Sequence, residues 1–310
     1  MTAQALRKTL RQIGRRTGID VAALLKLAEK AREAERREMA TRARPFVRVL
    51  FLHETPPETA GRFREQLAFL RDHFNVIDFD TLKRLFDGSE SLPDDRPAAM
   101  LTFDDGMASN YEVAAPLLEE AGMRGVFFVV PRFSQCGEHD GRQFYVERIR
   151  ARRPGLIGMT PEQIRELADR GHTIGNHTLT HACLSETPAS SLQSEIIESA
   201  EIIESWVERH VEAFSWTFRW NAITPQAYRV ALARHQYCFT PCSGRVDLEV
   251  DSPALVWRTS VESSYDMAEF SFKCSRLADF ISANLRRRVI ASLDSSVSAS
   301  VVAEIAHADR

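Results

Sequence analysis

The stretch "AAMLTFDDGMASN" (residues 98–110) decides how this chain is read. Five of its first six residues are apolar, the composition of a buried strand. Two carboxylates, Asp104 and Asp105, then stand side by side before Gly106. Like charges at the end of a buried strand repel each other and lose hydration. Glycine reaches backbone angles closed to other residues, so the chain can turn sharply at Gly106 and both carboxylates can approach one locus. A divalent cation there would offset their repulsion. Taken alone, "DDG" is also a common surface turn.

Outward from this stretch, short apolar runs alternate with amphipathic segments. "VRVLFLH" (47–53), "NVIDF" (75–79), "AAMLTF" (98–103), "GVFFVV" (125–130), "HTIGNH" (172–177), "AFSWTF" (213–218), "YCFT" (237–240) and "LVWRTSV" (255–261) read as strands. Between them, "FREQLAFLRDHF" carries Phe63, Leu67, Leu70 and Phe74 on one stripe. "DTLKRLFDG" starts on an Asp cap at Asp80 and stops at Gly88. "TPEQIRELADRG" has Thr160 as N-cap, Pro161 at the first helical position and Gly171 at its end. A long helix is expected from Ala189 to about Arg209. This alternation indicates an α/β protein with a mostly parallel sheet. Seven or eight such units in one chain favour a closed or nearly closed barrel.

The chain has 310 residues, 44% hydrophobic and 27% charged, with a formal net charge of -3. That suffices for one large core and argues against a globally basic nucleic-acid binder. No apolar run reaches the roughly 18 residues that span a bilayer. The N-terminus is basic without an apolar core segment, so no secretory signal is read there. The five cysteines are odd in number and irregularly spaced, which predicts free thiols in a reducing compartment and a cytoplasmic protein. Residues 1–43 predict a charged helical arm, either a solvated helix packed on the domain or on a second copy, or an arm docking a membrane surface or partner. The barrel is expected over 44–286, and the Ser/Ala-rich tail 287–310 is expected to be peripheral.

"GHTIGNHTLTH" (171–181) supplies the second chemical feature. His177 and His181 are four apart, which on a helical turn places both imidazoles on one face, as paired zinc ligands require. No Glu follows the first His, so the metalloprotease pattern is absent. His172 reads as a bystander with an exposed ring, because it sits just after the helix-ending glycine. One Asp and two His make a three-ligand set with open positions, the catalytic type of zinc site. Nitrogen ligands favour zinc, cobalt or nickel over magnesium or calcium. The second Asp is then spare to accept a proton from a water acidified by the cation.

"LTFDDG" followed about seventy residues later by "NHTLTH" resembles the polysaccharide deacetylase family, carbohydrate esterase family 4. The resemblance runs from about residue 46 to about 285. It implies a distorted (β/α) barrel of about seven parallel strands and a metal-dependent hydrolase that removes N-acetyl groups from amino sugars. Asp104 matches the family's general base; Asp105, His177 and His181 match its metal ligands. Residues 47–88 resemble the subgroup acting on poly-N-acetylglucosamine-type exopolysaccharides, in which a His at the end of the first strand is the general acid; His53 stands there. The family's third motif, Arg-x-Pro-aromatic, is altered: Ser215 and Thr217 replace the Arg and Pro, and Phe218 keeps the aromatic character. In the family that Arg orients and ionises the base. Arg219 lies nearby, but one sequence does not show that it substitutes. The usual Leu-x-His of the last motif is also absent after "LVWRTSV". Phe218 and Trp220 are expected at the sugar; Trp216 could stack on it or be buried. Alternatives are a deformylase or deacylase of a lipid- or nucleotide-linked sugar, or a catalytically impaired carbohydrate-binding homologue. Expected partners are the N-acetylated glycan and, through the arm, a membrane surface or a second copy.

Overall fold

The expected strands form and curl into a parallel barrel. The computed structural model describes residues 45–149 and 156–297, with seven positions between 26 and 38. Its strands are β1 (Phe46–Leu52), β2 (Asn75–Val76), β3 (Ala98–Phe103), β4 (Gly125–Val129), β5 (Thr173–Asn176), β6 (Ala213–Ser215), β7 (Tyr237–Phe239), β8 (Val246–Asp247) and β9 (Arg258–Ser260). The hydrogen-bonded order is β7-β6-β5-β4-β3-β1-β8, with β2 beside β3 and β9 beside β1. Every pairing is parallel except β1 with β8. A parallel bridge between Phe239 and Val256 joins β7 to the approach of β9. There the Val256 N–H donates to Cys238 O and the Thr240 N–H to Val256 O, both at 2.8 Å. The ring β1-β3-β4-β5-β6-β7-β9 thus closes, by a single bridge at its last step.

Side chains alternate across this sheet as strand geometry requires. Val47, Val49, Met100, Val126 and Phe128 lie in one apolar cluster. Leu50, Leu52, Leu101, Phe103, Phe127 and Val129 lie in another. The second cluster meets α1 (Ala60–His73) through Leu67 and Leu70, α3 (Ala115–Glu120) through Leu118, and α4 (Pro161–Asp169) through Ile164 and Leu167. The first takes Leu82 and Leu85 of α2 (Phe79–Asp87) and Ala227 of α6 (Pro225–Leu232). Burying such side chains contributes roughly 1.5–3 kcal/mol each.

Local signals hold with adjustments. Thr160 and Gln163 form a reciprocal capping box on α4. The cap of α2 is Asp78, two residues before the expected Asp80, because its side chain reaches the Thr81 N–H. The helix expected from Ala189 to Arg209 winds as a 3₁₀ turn (Ala189–Ser191), a π turn (Ser194–Glu198) and α5 (Ser199–Val207). The boundary expected at residue 286 is crossed by α7 (Arg276–Val297), which buries Val289 and Leu293 in the core; residues 298–310 lie outside the described residues. Most of the N-terminal arm, including its basic first sixteen residues, also lies outside them. Its described positions are helical, and Glu38 pairs with Arg245 and Arg276. Among the described residues, no helix is long and apolar enough to cross a membrane. The C-terminal ends of β1, β3, β5 and β6 open on one rim, where parallel barrels assemble reactive groups.

Candidate active site

At the end of β3 the strand alternation carries Asp104 to the face shared by Met100 and Thr102. Its N–H still donates to Leu52 O of β1 at 2.8 Å. Asp105 then takes φ 71° and Gly106 φ 72°, two successive left-handed residues that turn the chain off the sheet. A Cβ on Gly106 would also lie 3.3 Å from the Val129 backbone. The turn therefore needs glycine at 106 and strains the non-glycine residue before it, the kind of backbone cost concentrated at functional sites.

At the end of β5, His177 and His181 are brought together, although not on a helix. Thr178 and His181 have φ 65° and 55°, so the four-residue spacing spans a left-handed loop. Side chains hold that loop. Asn176 Oδ1 accepts from the Thr178 N–H at 3.1 Å. Glu195 accepts from the Thr180 N–H at 3.0 Å and from its hydroxyl at 2.7 Å. Thr217 donates its hydroxyl to Ala182 O at 2.6 Å, so the residue in the expected proline position ties this loop to the end of β6.

The two imidazoles share one pattern. His177 Nδ1 lies 2.8 Å from Ser215 O, and His181 Nδ1 lies 3.0 Å from Arg148 O. A carbonyl only accepts, so both Nδ1 atoms carry protons. The Nε2 atoms point instead at Asp105 Oδ1, at 3.3 and 3.2 Å. In the neutral imidazoles those nitrogens are bare acceptors. Asp105 Oδ1 is itself buried without a hydrogen bond in good geometry. Three acceptors within 4.8 Å of one another, all buried, require positive charge among them. Burial raises the Asp105 pKa, but the two histidines outweigh it and hold the carboxyl well below the usual range. Burial lowers the His177 pKa, but Asp104 and Asp105 outweigh it and the net direction is upward. This donor set fits a divalent cation of the zinc, cobalt or nickel type.

Asp104 has different partners. Arg258, at the start of β9 and fully buried, grips it bidentately: Nη1 donates to Oδ1 at 2.7 Å and Nη2 to Oδ2 at 2.9 Å. Burial raises the Asp104 pKa, yet the Arg258 charge leads the effects that bring it below the ordinary value. Sequence reasoning looked for this guanidinium at Ser215 or Arg219 and missed it. The signal was present in the lone charge of the otherwise uncharged "LVWRTSV", since a buried strand rarely holds an unpaired Arg.

A cleft of about 120 Å³ joins these groups; His53, Asp104, Asp105, His177, His181 and Phe218 line it together with Phe51, Trp216 and Pro241. His53 also lines an adjoining cavity with Glu54, Glu58 and Glu262. Phe218, at φ 61°, is 46% exposed and lies 4.7 Å from the His181 ring, the exposed aromatic expected at the sugar. Trp220 is displaced from that expectation: it packs against the core and does not line the cleft. Trp216 is buried against Phe214 and Tyr228. His172 is not an exposed bystander but a buried residue bonded to Glu119 at 2.9 Å. All five cysteines are free thiols.

Residues 91–231 match the family model described as polysaccharide deacetylase. The chain is 25% identical over 118 residues to a peptidoglycan-N-acetylglucosamine deacetylase of Bacillus cereus, covering 38% of this chain and 45% of that protein. It spans less than half the length of the curated relatives it matches. Among solved structures, the deacetylase PplD of Streptococcus pyogenes in complex with acetate superposes with a TM-score of 0.59 at 16% identity, over 76% of this chain and 100% of that one. IcaB from Ammonifex degensii gives 0.56 at 20% identity, over 74% and 97%. At these identities the superpositions speak for the barrel fold.

Proposed function

We propose that this chain, a member of the polysaccharide deacetylase family, is a metal-dependent carbohydrate N-deacetylase. It removes an N-acetyl group from an amino sugar in a glycan, a glycoside or a carrier-linked glycan precursor. The observation that carries the reading is the convergence of Asp105 Oδ1 and two imidazole lone pairs beside a second, separately paired carboxylate. Asp105, His177 and His181 hold the cation, zinc first and cobalt or nickel next. When bound, a cation of this type acidifies water and polarises a carbonyl oxygen.

The chain's own residues supply the rest. Asp104, kept ionised by Arg258, accepts the proton of the attacking water as its oxygen adds to the amide carbon. His53, on the same cleft, gives a proton to the departing nitrogen, since an amide nitrogen leaves poorly as an anion. A backbone N–H near Phe218 is the donor this reading assigns to the oxygen on which charge develops. The small cleft suits a formyl or acetyl group, with the sugar outside on the rim against Phe218. The impaired-homologue alternative drew on Ser215 and Thr217, and Arg258 weakens it by bringing a guanidinium to Asp104 from another strand. The free thiols agree with a cytoplasmic location, where carrier-linked intermediates rather than finished polymers are available.

The test is acyl release from N-acetylated and N-formylated hexosamine glycosides, oligomers and carrier-linked sugars. Acetate release that is abolished by a chelator and restored by zinc or cobalt is expected. Metal-loaded protein that releases neither acid from any of these substrates refutes the reading.

A further inference from the structure

We infer that the sugar reaches the cleft joined to its carrier through a diphosphate, which Arg132, Arg148 and Arg219 receive on the rim beside the cation site. That the sugar bears an acyl group rests on the deacetylase reading; the charge of its carrier does not. The three arginines come from separate segments packed around the loop 177–181. Arg132 stands in the short helix Pro131–Ser134 after β4, and its N–H donates to Leu179 O at 3.1 Å. Arg148 lies in the π turn Tyr145–Ile149, and its carbonyl accepts from His181 Nδ1 at 3.0 Å. Arg219 follows Phe218, whose ring lies 4.7 Å from that of His181. All three residues are exposed.

What sets them apart is that no carboxylate answers them. Among the described residues, none of the three makes a side-chain hydrogen bond, ion pair or ring contact. Arginines close by in the chain are paired: Arg142 with Glu138 at 2.8 Å, and Arg170 with Glu119 at 2.7 Å. Like charges gathered around one loop repel, and the repulsion is relieved when an anion arrives. A guanidinium fork matches phosphate oxygens two at a time. A lone carboxylate brings one charge and two oxygens, too few for three such forks. A diphosphate brings two charges and oxygens enough for each. The carboxylates at the mouth lie elsewhere: Glu54, Glu58 and Glu262 line the cavity that adjoins the cleft at His53. An anionic carrier is therefore directed to the Phe218 side. The cleft of about 120 Å³ has room for a small acyl group only, so the carrier stays on the rim. Hydrolysis cuts the amide C–N bond, and the diphosphate is held but not cleaved.

The test compares acyl release by zinc-loaded protein from uridine diphosphate N-acetylglucosamine, polyprenyl diphosphate N-acetylglucosamine, the neutral methyl glycoside, and neutral and uronate-containing trimers. The parent should favour the diphosphates by about 10²-fold in kcat/KM, chiefly through KM, and raising the salt should erode that preference. Arg132→Gln, Arg148→Gln and Arg219→Gln should each lower the preference about three- to tenfold, and the triple variant should bring it near unity with its zinc content intact. Arg229→Gln, which removes an equally exposed charge from the last turn of α6, should keep the preference. Favouring the nucleotide or the lipid diphosphate supports the inference alike and tells the two carriers apart. A parent that prefers the methyl glycoside or either trimer overturns it, as does a triple variant that retains the preference. If no substrate releases an acyl group, the deacetylase reading fails, and binding decides the carrier separately. The zinc-loaded parent should then hold uridine diphosphate N-acetylglucosamine at least about tenfold more tightly than the zinc-loaded triple variant, and equal affinities overturn the inference.

Discussion

Strand β5 is flanked by a buried histidine at each end, and the two ends use the same side chain oppositely. Before the strand, His172 accepts the Gly125 N–H at Nδ1 and meets Glu119 at Nε2, at 3.1 and 2.9 Å. Each nitrogen has a partner of the complementary kind, so the neutral ring is complete. After the strand, His177 and His181 spend their protons on backbone carbonyls and turn bare nitrogens toward a carboxylate. Burial and a nearby acid are common to both ends. The tautomer that the backbone selects is what distinguishes them: one arrangement is complete as protein, the other only with a cation.

Removing the carboxylate at each end exposes this difference most sharply. Asp105→Ala should abolish stoichiometric metal binding and lower acyl release by about 10³-fold or more, the several kcal/mol that a bound cation contributes. Glu119→Ala should leave metal content and turnover alone and cost roughly 1–3 kcal/mol of stability, as for a lost charge-assisted hydrogen bond. Elemental analysis and denaturant titration read both outcomes. Full metal occupancy in Asp105→Ala would dissolve the distinction between the two ends.

Asp104→Asn comes next. It should keep the metal and lose about 10²–10⁴-fold in kcat, the range for a positioned acid–base group. A smaller effect is expected one layer out. Glu195 clamps Thr180 within the loop between the two histidines, so Glu195→Ala should weaken metal affinity by about tenfold, as supporting contacts of ligands do. Competition with a chromophoric chelator measures this, and parental affinity would mean that Asn176 and Thr217 hold the loop without it.

Much of this was legible in the chain, for local reasons. The strand and helix periods, the Thr160–Gln163 box and the turn at Gly106 depend on neighbours, and they predict the parallel barrel and the place of Asp104 and Asp105. The histidine pair was legible as a pair but not in its geometry, because its left-handed turn depends on Asn176 and Glu195, outside the loop. Arg258 was illegible for a different reason. Its partner lies 154 residues away, and a lone Arg in an apolar strand signals a buried ion pair without naming the partner. Arg48 in "VRVLFLH" gives the same signal and ends on Asp279, far from the chemistry. His172 misled because a residue after a helix-ending glycine is usually exposed; here the strand begins at once and carries the ring inside.

The finest expected difference between site and scaffold is one of sign, in protein stripped of divalent cations. His235, buried beneath β6 against Phe214, bonds Ala231 O and Asn176 and is pushed by burial down to about 3. His172 is lowered too, again by burial first. For both, the unfolded chain binds a proton that the native ring refuses, so stability is lost as pH falls below about 6.5. For His235 alone the slope approaches about 1.4 kcal/mol per pH unit, down to its folded value. His177 is shifted the other way, because the charges of Asp104 and Asp105 outweigh its burial. Its contribution is present below the unfolded pKa and is lost as pH rises through the folded one. Urea midpoints taken between pH 4 and 8 should therefore respond oppositely to two substitutions. His235→Gln should flatten the fall in stability below about pH 6.5, and His177→Gln should remove a fall that sets in as pH rises above it. Equal slopes in the two variants would mean that, without a metal, the imidazoles at the site titrate as scaffold residues do.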